Sequence, residues 1–272
     1  MKPLTRLGVL PWLASLAFAA GGARAGTLFS DPYGAGSPDV LGSEADFDIR
    51  SLEVQELGPS VLRMELRLDY HGGDVSLAPF SEAGTSFAAV PVGLGDVLIQ
   101  GRSSLWAIPL VSSGTVGGPG GIYYATPLGP VAVGEPITRI QVLPGSLYRV
   151  SGSLTAGQVL GVSAASDLRA DEPVWGAIES FAPDYSGFFP VATPVGGPEI
   201  SIQLQIATGP AFYADVSGGY RVHFASATCA CDVIDGAVPE PGPLALASLA
   251  LALGGARLCL RRGGGSRARE RV

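Results

Sequence analysis

The chain has 272 residues, 47% of them hydrophobic, and a formal net charge of −7. That apolar content excludes a wholly disordered chain, and the acidic balance excludes nucleic acid as a partner, because phosphates are met by clustered Lys and Arg. The charge is uneven. Residues 1–25 carry 3 basic and 0 acidic side chains, residues 26–238 carry 8 and 22, and residues 239–272 carry 6 and 2, so two basic ends flank a body at −14.

Residues 1–25 have the layout of a secretory signal peptide. Lys2 and Arg6 form a positive start, residues 7–20 are apolar, and Ala23-Arg24-Ala25 supplies a small-x-small cleavage pattern before Gly26. The chain is therefore expected to pass the Sec translocon and to be cut by signal peptidase. The body, residues 26–237, contains no lysine, and the whole chain contains no asparagine. Left-handed backbone positions then fall mainly to Gly, and no N-glycosylation acceptor exists.

An acidic stretch opens the body. Asp39, Glu44, Asp46 and Asp48 lie close together in sequence and form a candidate calcium set, since calcium takes oxygen ligands. The competing reading is a solvated acidic loop, because acids sit cheaply on a surface. Residues 47–57 and 61–70 then read as a hairpin about Gly58-Pro59-Ser60. In the second strand Leu62, Met64, Leu66, Leu68 and Tyr70 alternate with charged residues, a period of two. In the first, Phe47 and Ile49 share one parity and Leu52 and Val54 the other, which predicts a bulge near Arg50-Ser51. Further strands are expected at 97–100, 105–111, 121–125, 137–142, 147–150, 200–207 and 220–226. Residues 171–180 are read as a short helix. Short strands between Gly/Pro turns predict an all-β body, a jelly-roll-like or Ig-like β-sandwich more than a barrel.

Catalytic signatures are sparse. There is no Gly-x-Ser-x-Gly, His-Glu-x-x-His or Cys-x-x-Cys, and a chain whose sole lysine is Lys2 holds no P-loop. Acids and aromatics mix where Glu172, Glu179 and Asp184 flank Trp175, Phe181 and Tyr185. Two opposed carboxylates there would suit a glycoside hydrolase. Trp106, Trp175 and Tyr185 are candidate sugar contacts, because aromatic faces offer apolar area with a polar handle. The plainer reading is aromatics plugging one end of the fold. A hydrolase built on Ser, His and Asp would have to use His71 or His223.

Cys229 and Cys231 face an oxidising compartment. Either they bridge across one residue in an irregular segment, or, placed on one strand face, they stay too far apart to do so. With two His, neither near a Cys in sequence, no metal site is assigned.

The last stretch begins Val238-Pro239-Glu240-Pro241, continues through an apolar run at 243–260 interrupted by Arg257, and ends in Arg261, Arg262 and further arginines. As a helix, 18 residues span ~27 Å, close to a ~30 Å hydrocarbon core. Arg257, one turn from its end, reaches the interface along its own stem. The arginines predict a cytoplasmic end, so the segment is expected to be a single membrane span.

A Val-Pro-Glu-Pro motif, a short Leu/Ala/Gly helix and a terminal Arg cluster together resemble the PEP-CTERM sorting signal of Gram-negative bacteria. The resemblance covers residues 238–272. It implies recognition by exosortase, an integral-membrane cysteine transpeptidase-like sorting enzyme that cleaves near the motif, with Val238, Pro239, Glu240, Pro241, Arg257, Arg261 and Arg262 as recognition residues. The tail from Gly263 to Val272 is longer than the family's usual few residues. The family implies a periplasmic, inner-membrane-anchored form, then delivery to the cell surface or extracellular matrix alongside exopolysaccharide. The body resembles a recurrent type among these proteins through Pro38-Asp39-Val40-Leu41-Gly42, Phe47-Asp48-Ile49, Gly95-Asp96-Val97-Leu98 and Thr228-Cys229-Ala230-Cys231-Asp232-Val233-Ile234, with Cys231 where similar proteins carry Asn. That likeness implies a domain and no activity. The expected role is structural or adhesive; the alternatives are a carbohydrate-binding module or, less favoured, a secreted glycoside hydrolase.

Overall fold

The computed structural model describes residues 26–31, 39–58, 60–86, 92–111, 142–161, 166–178 and 182–240. The stretch read as a signal peptide, with Ala23 and Ala25, the strand candidate at 121–125, all of 137–142 except Val142, and the expected span at 243–260 lie outside them. Among the described residues no helix is long and apolar enough to cross a membrane.

The body, within the compact unit Ala23–Val238, is all-β, built on two antiparallel sheets. One has the order β1 (Thr27–Ser30), β2 (Ile49–Glu56), β3 (Val61–Asp69), β9 (Glu199–Ala207), β8 (Val191–Gly196). The other runs β11 (Val233–Val238), β10 (Tyr220–Ala225), β4 (Val97–Gln100), β5 (Leu105–Ile108), β6 (Tyr148–Thr155), β7 (Pro173–Ile178). Three short helices, α1 (Glu44–Phe47), α2 (Ala156–Leu160) and α3 (Pro210–Val216), fill connections.

The alternation read in β3 sets the first sheet. Leu62, Met64, Leu66 and Leu68 are buried and stand opposite Ile206, Leu204, Ile202 and Ile200 of β9. Those side chains share one core with Val97, Ile99, Trp106, Val222 and Phe224 of the second sheet. Each buried aliphatic side chain contributes about 1.5–3 kcal/mol of transfer free energy. The expected bulge is present: the β2–β3 register shifts between Ile49 and Ser51. The extra residue, Arg50, lets Ile49, Leu52 and Val54 all face inward.

One reading is corrected. Residues 173–178, expected within a helix, form strand β7, with Val174 to Ile178 all buried. A strand covered on both faces has no period of two, so its sequence does not announce it. Gly176 is required by packing: a Cβ there would stand 2.4 Å from that of Ala107. The second sheet also bends back on itself. β7 is its edge strand, yet Asp96 just before β4 donates its N–H to the Val174 carbonyl at 2.7 Å and accepts the Gly176 N–H on Oδ2 at 3.0 Å.

Asp215, near the end of α3, holds the β4–β5 turn. Its Oδ1 accepts from the Ser103 N–H and hydroxyl, both at 2.7 Å, and its Oδ2 accepts from the Trp106 indole at 2.9 Å. Burial pushes this carboxyl up, but the Ser103 and Trp106 hydrogen bonds outweigh burial and hold it below the usual value. Asp215→Ala strands a buried indole N–H. It is expected to lower stability by about 2–3 kcal/mol and the melting temperature by on the order of 5–10 °C, read by thermal denaturation. An unchanged melting temperature would show that the turn stands without it.

Candidate functional site

The sequence segments that carry the body's resemblance are far apart in the chain and meet in space. Leu41 donates its N–H to the Cys231 carbonyl at 2.7 Å, and Ile49 donates to Asp232 Oδ2 at 2.6 Å. Thr228 donates its N–H to the Gly93 carbonyl at 2.7 Å and accepts the Gly93 N–H on its hydroxyl at 3.3 Å. Arg169 donates to the carbonyls of Asp39 and Ala230. The chain between β10 and β11 thus acts as a plug, joining the entry to β2, the approach to β4 and the loop before β7. It is irregular, and Ala230 takes φ 50° at its tip. In that turn Cys229 and Cys231 are bridged, with Cα atoms 5.2 Å apart, the irregular-segment alternative read from the sequence.

The junction is unusually polar for its burial. Asp48, Asp96, Ser226, Thr228 and Asp232 are all 3% exposed or less. Burial pushes the Asp232 carboxyl up to about 7, the Ile49 and Val233 N–H groups offset part of that, and the Asp31 and Asp39 charges add to it. Asp31, Asp39 and Asp232 bring carboxylate oxygens within 4.8 Å of one another. Beside them Arg50 reaches Asp48 and Asp69, each at 2.8 Å. Burial raises both of those carboxyls, and the guanidinium offsets only part of the rise.

The four residues read as a calcium set do not converge. Glu44 is exposed on α1, and Asp48 turns inward to Arg50. Asp39 faces Asp31 and Asp232 instead. The bulge explains the difference, because it points Asp48 and Arg50 into the β2–β3 junction and away from the loop.

Trp106 and Trp175 are both fully buried. The Arg149 guanidinium lies 4.9 Å from the Trp106 ring centre, and Tyr185 and Phe212 pack on the same indole at 6.1 and 5.3 Å. Tyr185 accepts the Phe212 N–H on its hydroxyl at 3.3 Å. These are plugging contacts, and neither indole offers a ring face to a sugar. Asp184 accepts the Arg149 N–H at 2.7 Å, while Glu179 lies outside the described residues.

No protein-family model, curated protein or solved structure matches the chain.

His71 is exposed and stacks on Phe80 at 4.4 Å. His223 on β10 stands opposite Asp235 on β11 in the strand register. Its Nδ1 is 2.9 Å from Asp235 and 3.8 Å from Glu172, and its Nε2 is 2.7 Å from the Pro173 carbonyl. A Ser-His-Asp relay needs the second ring nitrogen to face a hydroxyl. Here it faces a carbonyl, which has no proton to give. Sequence reading noticed Glu172 and His223 separately; the strand register that adds Asp235 is invisible until β11 is recognised.

At the C-terminal end, Val238 closes β11 and is buried, and Pro239 and Glu240 are exposed beyond it. Pro241, Arg257, Arg261 and Arg262 lie outside the described residues.

Proposed function

We propose that this is an exported envelope protein of a Gram-negative bacterium, sorted by exosortase through a PEP-CTERM signal at residues 238–272, with a structural or adhesive body. The observation that carries the reading is the order of parts at the end of the chain: Val238-Pro239-Glu240-Pro241, an apolar run and arginines. Supporting it, the motif begins where the last described strand stops, so a cut after it leaves every described strand in the body. The protein would enter the periplasm through the Sec translocon, lose its signal peptide before Gly26, stay anchored in the inner membrane, and then pass to the surface or matrix beside exopolysaccharide. Its two sheets are read as the layers of a β-sandwich. Sugar binding through Trp106 and Trp175 is not proposed, since both are buried.

Intact-mass measurement of the surface-released protein, with and without the sorting enzyme, tests this. The expected result is a species lacking residues 243–272, formed only when the enzyme is present. Neutral replacements at Arg257, Arg261 and Arg262 should abolish its formation. Release that still includes residues 243–272 would overturn the proposal.

A further inference from the structure

We propose that Glu172, His223 and Asp235 form a binding site for a divalent transition-metal ion of the zinc type, clasping the β10–β11 hairpin to the start of β7. His223 Nε2 lies 2.7 Å from the Pro173 carbonyl, an acceptor, so Nε2 carries a hydrogen. Nδ1 then points at two carboxylates, 2.9 Å from Asp235 Oδ1 and 3.8 Å from Glu172 Oε1. A bare lone pair between two anions is repelled, so this corner holds positive charge: a proton or a metal ion.

A histidine that binds metal through one nitrogen usually donates the other N–H to a carbonyl or carboxylate, which fixes the tautomer and the ring plane. His223 has that support already, from a backbone group. A tetrahedral ion with arms of about 2.1 Å places its ligand atoms about 3.4 Å apart. The separations of 2.9 and 3.8 Å straddle that value, and the three ligand atoms all lie within 4.8 Å of one another. Small side-chain rotations would open the gap. Calcium and magnesium favour all-oxygen sets, whereas an imidazole with two carboxylates suits zinc-type ions. The Asp235 side chain is 49% exposed and that of Glu172 33%, so ions have a path in and water can complete the coordination.

β7 and β10 are not hydrogen-bond neighbours in their sheet. They approach because the sheet bends back, and an ion shared by Glu172 and the hairpin would fasten that bend. The inference is independent of the sorting signal.

The test uses the full chain, stripped with a chelator and titrated with ZnCl2 by calorimetry and thermal shift, with CaCl2 and MgCl2 in parallel. One saturable zinc per chain is expected, with the melting temperature raised by on the order of 5 °C at excess zinc and no comparable effect of calcium or magnesium. Glu172→Gln and Asp235→Asn, both partly exposed and mild, should each weaken zinc binding at least about tenfold, and His223→Ala should abolish it. Asp39→Asn, at the other acidic cluster, should leave it unchanged. Absence of saturable zinc binding, or binding indifferent to Glu172→Gln and Asp235→Asn, would overturn the proposal.

Discussion

Arg50→Met is expected to destabilise the body by about 3–5 kcal/mol at mildly alkaline pH, because removing one partner of a buried ion pair leaves the other charge stranded. Here two charges are stranded. The Asp48 and Asp69 side chains are 1% and 2% exposed, and each is 2.8 Å from the guanidinium. Arg50 meets the Oδ2 atoms, and Asp48 Oδ1 and Asp69 Oδ1 accept no hydrogen bond among the described residues, so Arg50 is the main counterweight of both carboxylates. The loss should shrink as pH falls. Both carboxyls already sit above their ordinary value in the fold through burial, and losing Arg50 raises them further. A group whose folded pKa is raised favours the folded state on the acid side, so protonation relieves the variant more than the wild type. Thermal melts near neutral and mildly acid pH should show the gap closing. An equal gap at both would mean that the lost packing of the Arg50 stem, and not stranded charge, sets the cost.

Asp232→Asn is expected to act in the opposite direction. Burial pushes the carboxyl up to about 7 in the fold, from an ordinary value of 3.8. Between those values the folded state holds a proton that the unfolded state has released. This group's contribution to stability is therefore fully present on the acid side, and it declines by up to about 1.4 kcal/mol for each pH unit as pH rises towards about 7. Asparagine carries no charge and keeps an oxygen for the Ile49 N–H, but it turns its NH2 towards the Val233 N–H and loses that hydrogen bond. The variant should lie about 1 kcal/mol below the wild type at mildly acid pH, through the lost Val233 hydrogen bond, and close or reverse that gap as pH rises, with a flatter stability profile in urea denaturation. A profile as steep as the wild type's would remove Asp232 as its origin.

The first sheet was the legible part of this chain. β3 and β9 lie in its interior with one face to solvent, so polar and apolar side chains alternate, and even the Arg50 bulge shows as a change of parity. β7 is covered on both faces and loses that signal. β8 loses it differently: its residues are nearly all exposed and include Pro194, so there is no apolar face to recognise. β11 was hidden because Val238 both closes a strand and opens the Val238-Pro239-Glu240-Pro241 stretch, which reads as a break. At the junction, the contributing segments were each visible in the sequence, but their meeting was not. Hydrogen bonds such as Ile49 to Asp232 join residues 183 positions apart, and no local pattern encodes them. The same holds for Glu172, His223 and Asp235.

That 183-residue separation also bears on timing. Contacts between distant parts of a chain form late, because a large loop must close before they return any free energy. The entry to β2 cannot be locked until Asp232 has been synthesised and is free to dock. A domain whose first hairpin is sealed by a residue 183 positions further on is expected to consolidate in one late, cooperative step, with no stable early half.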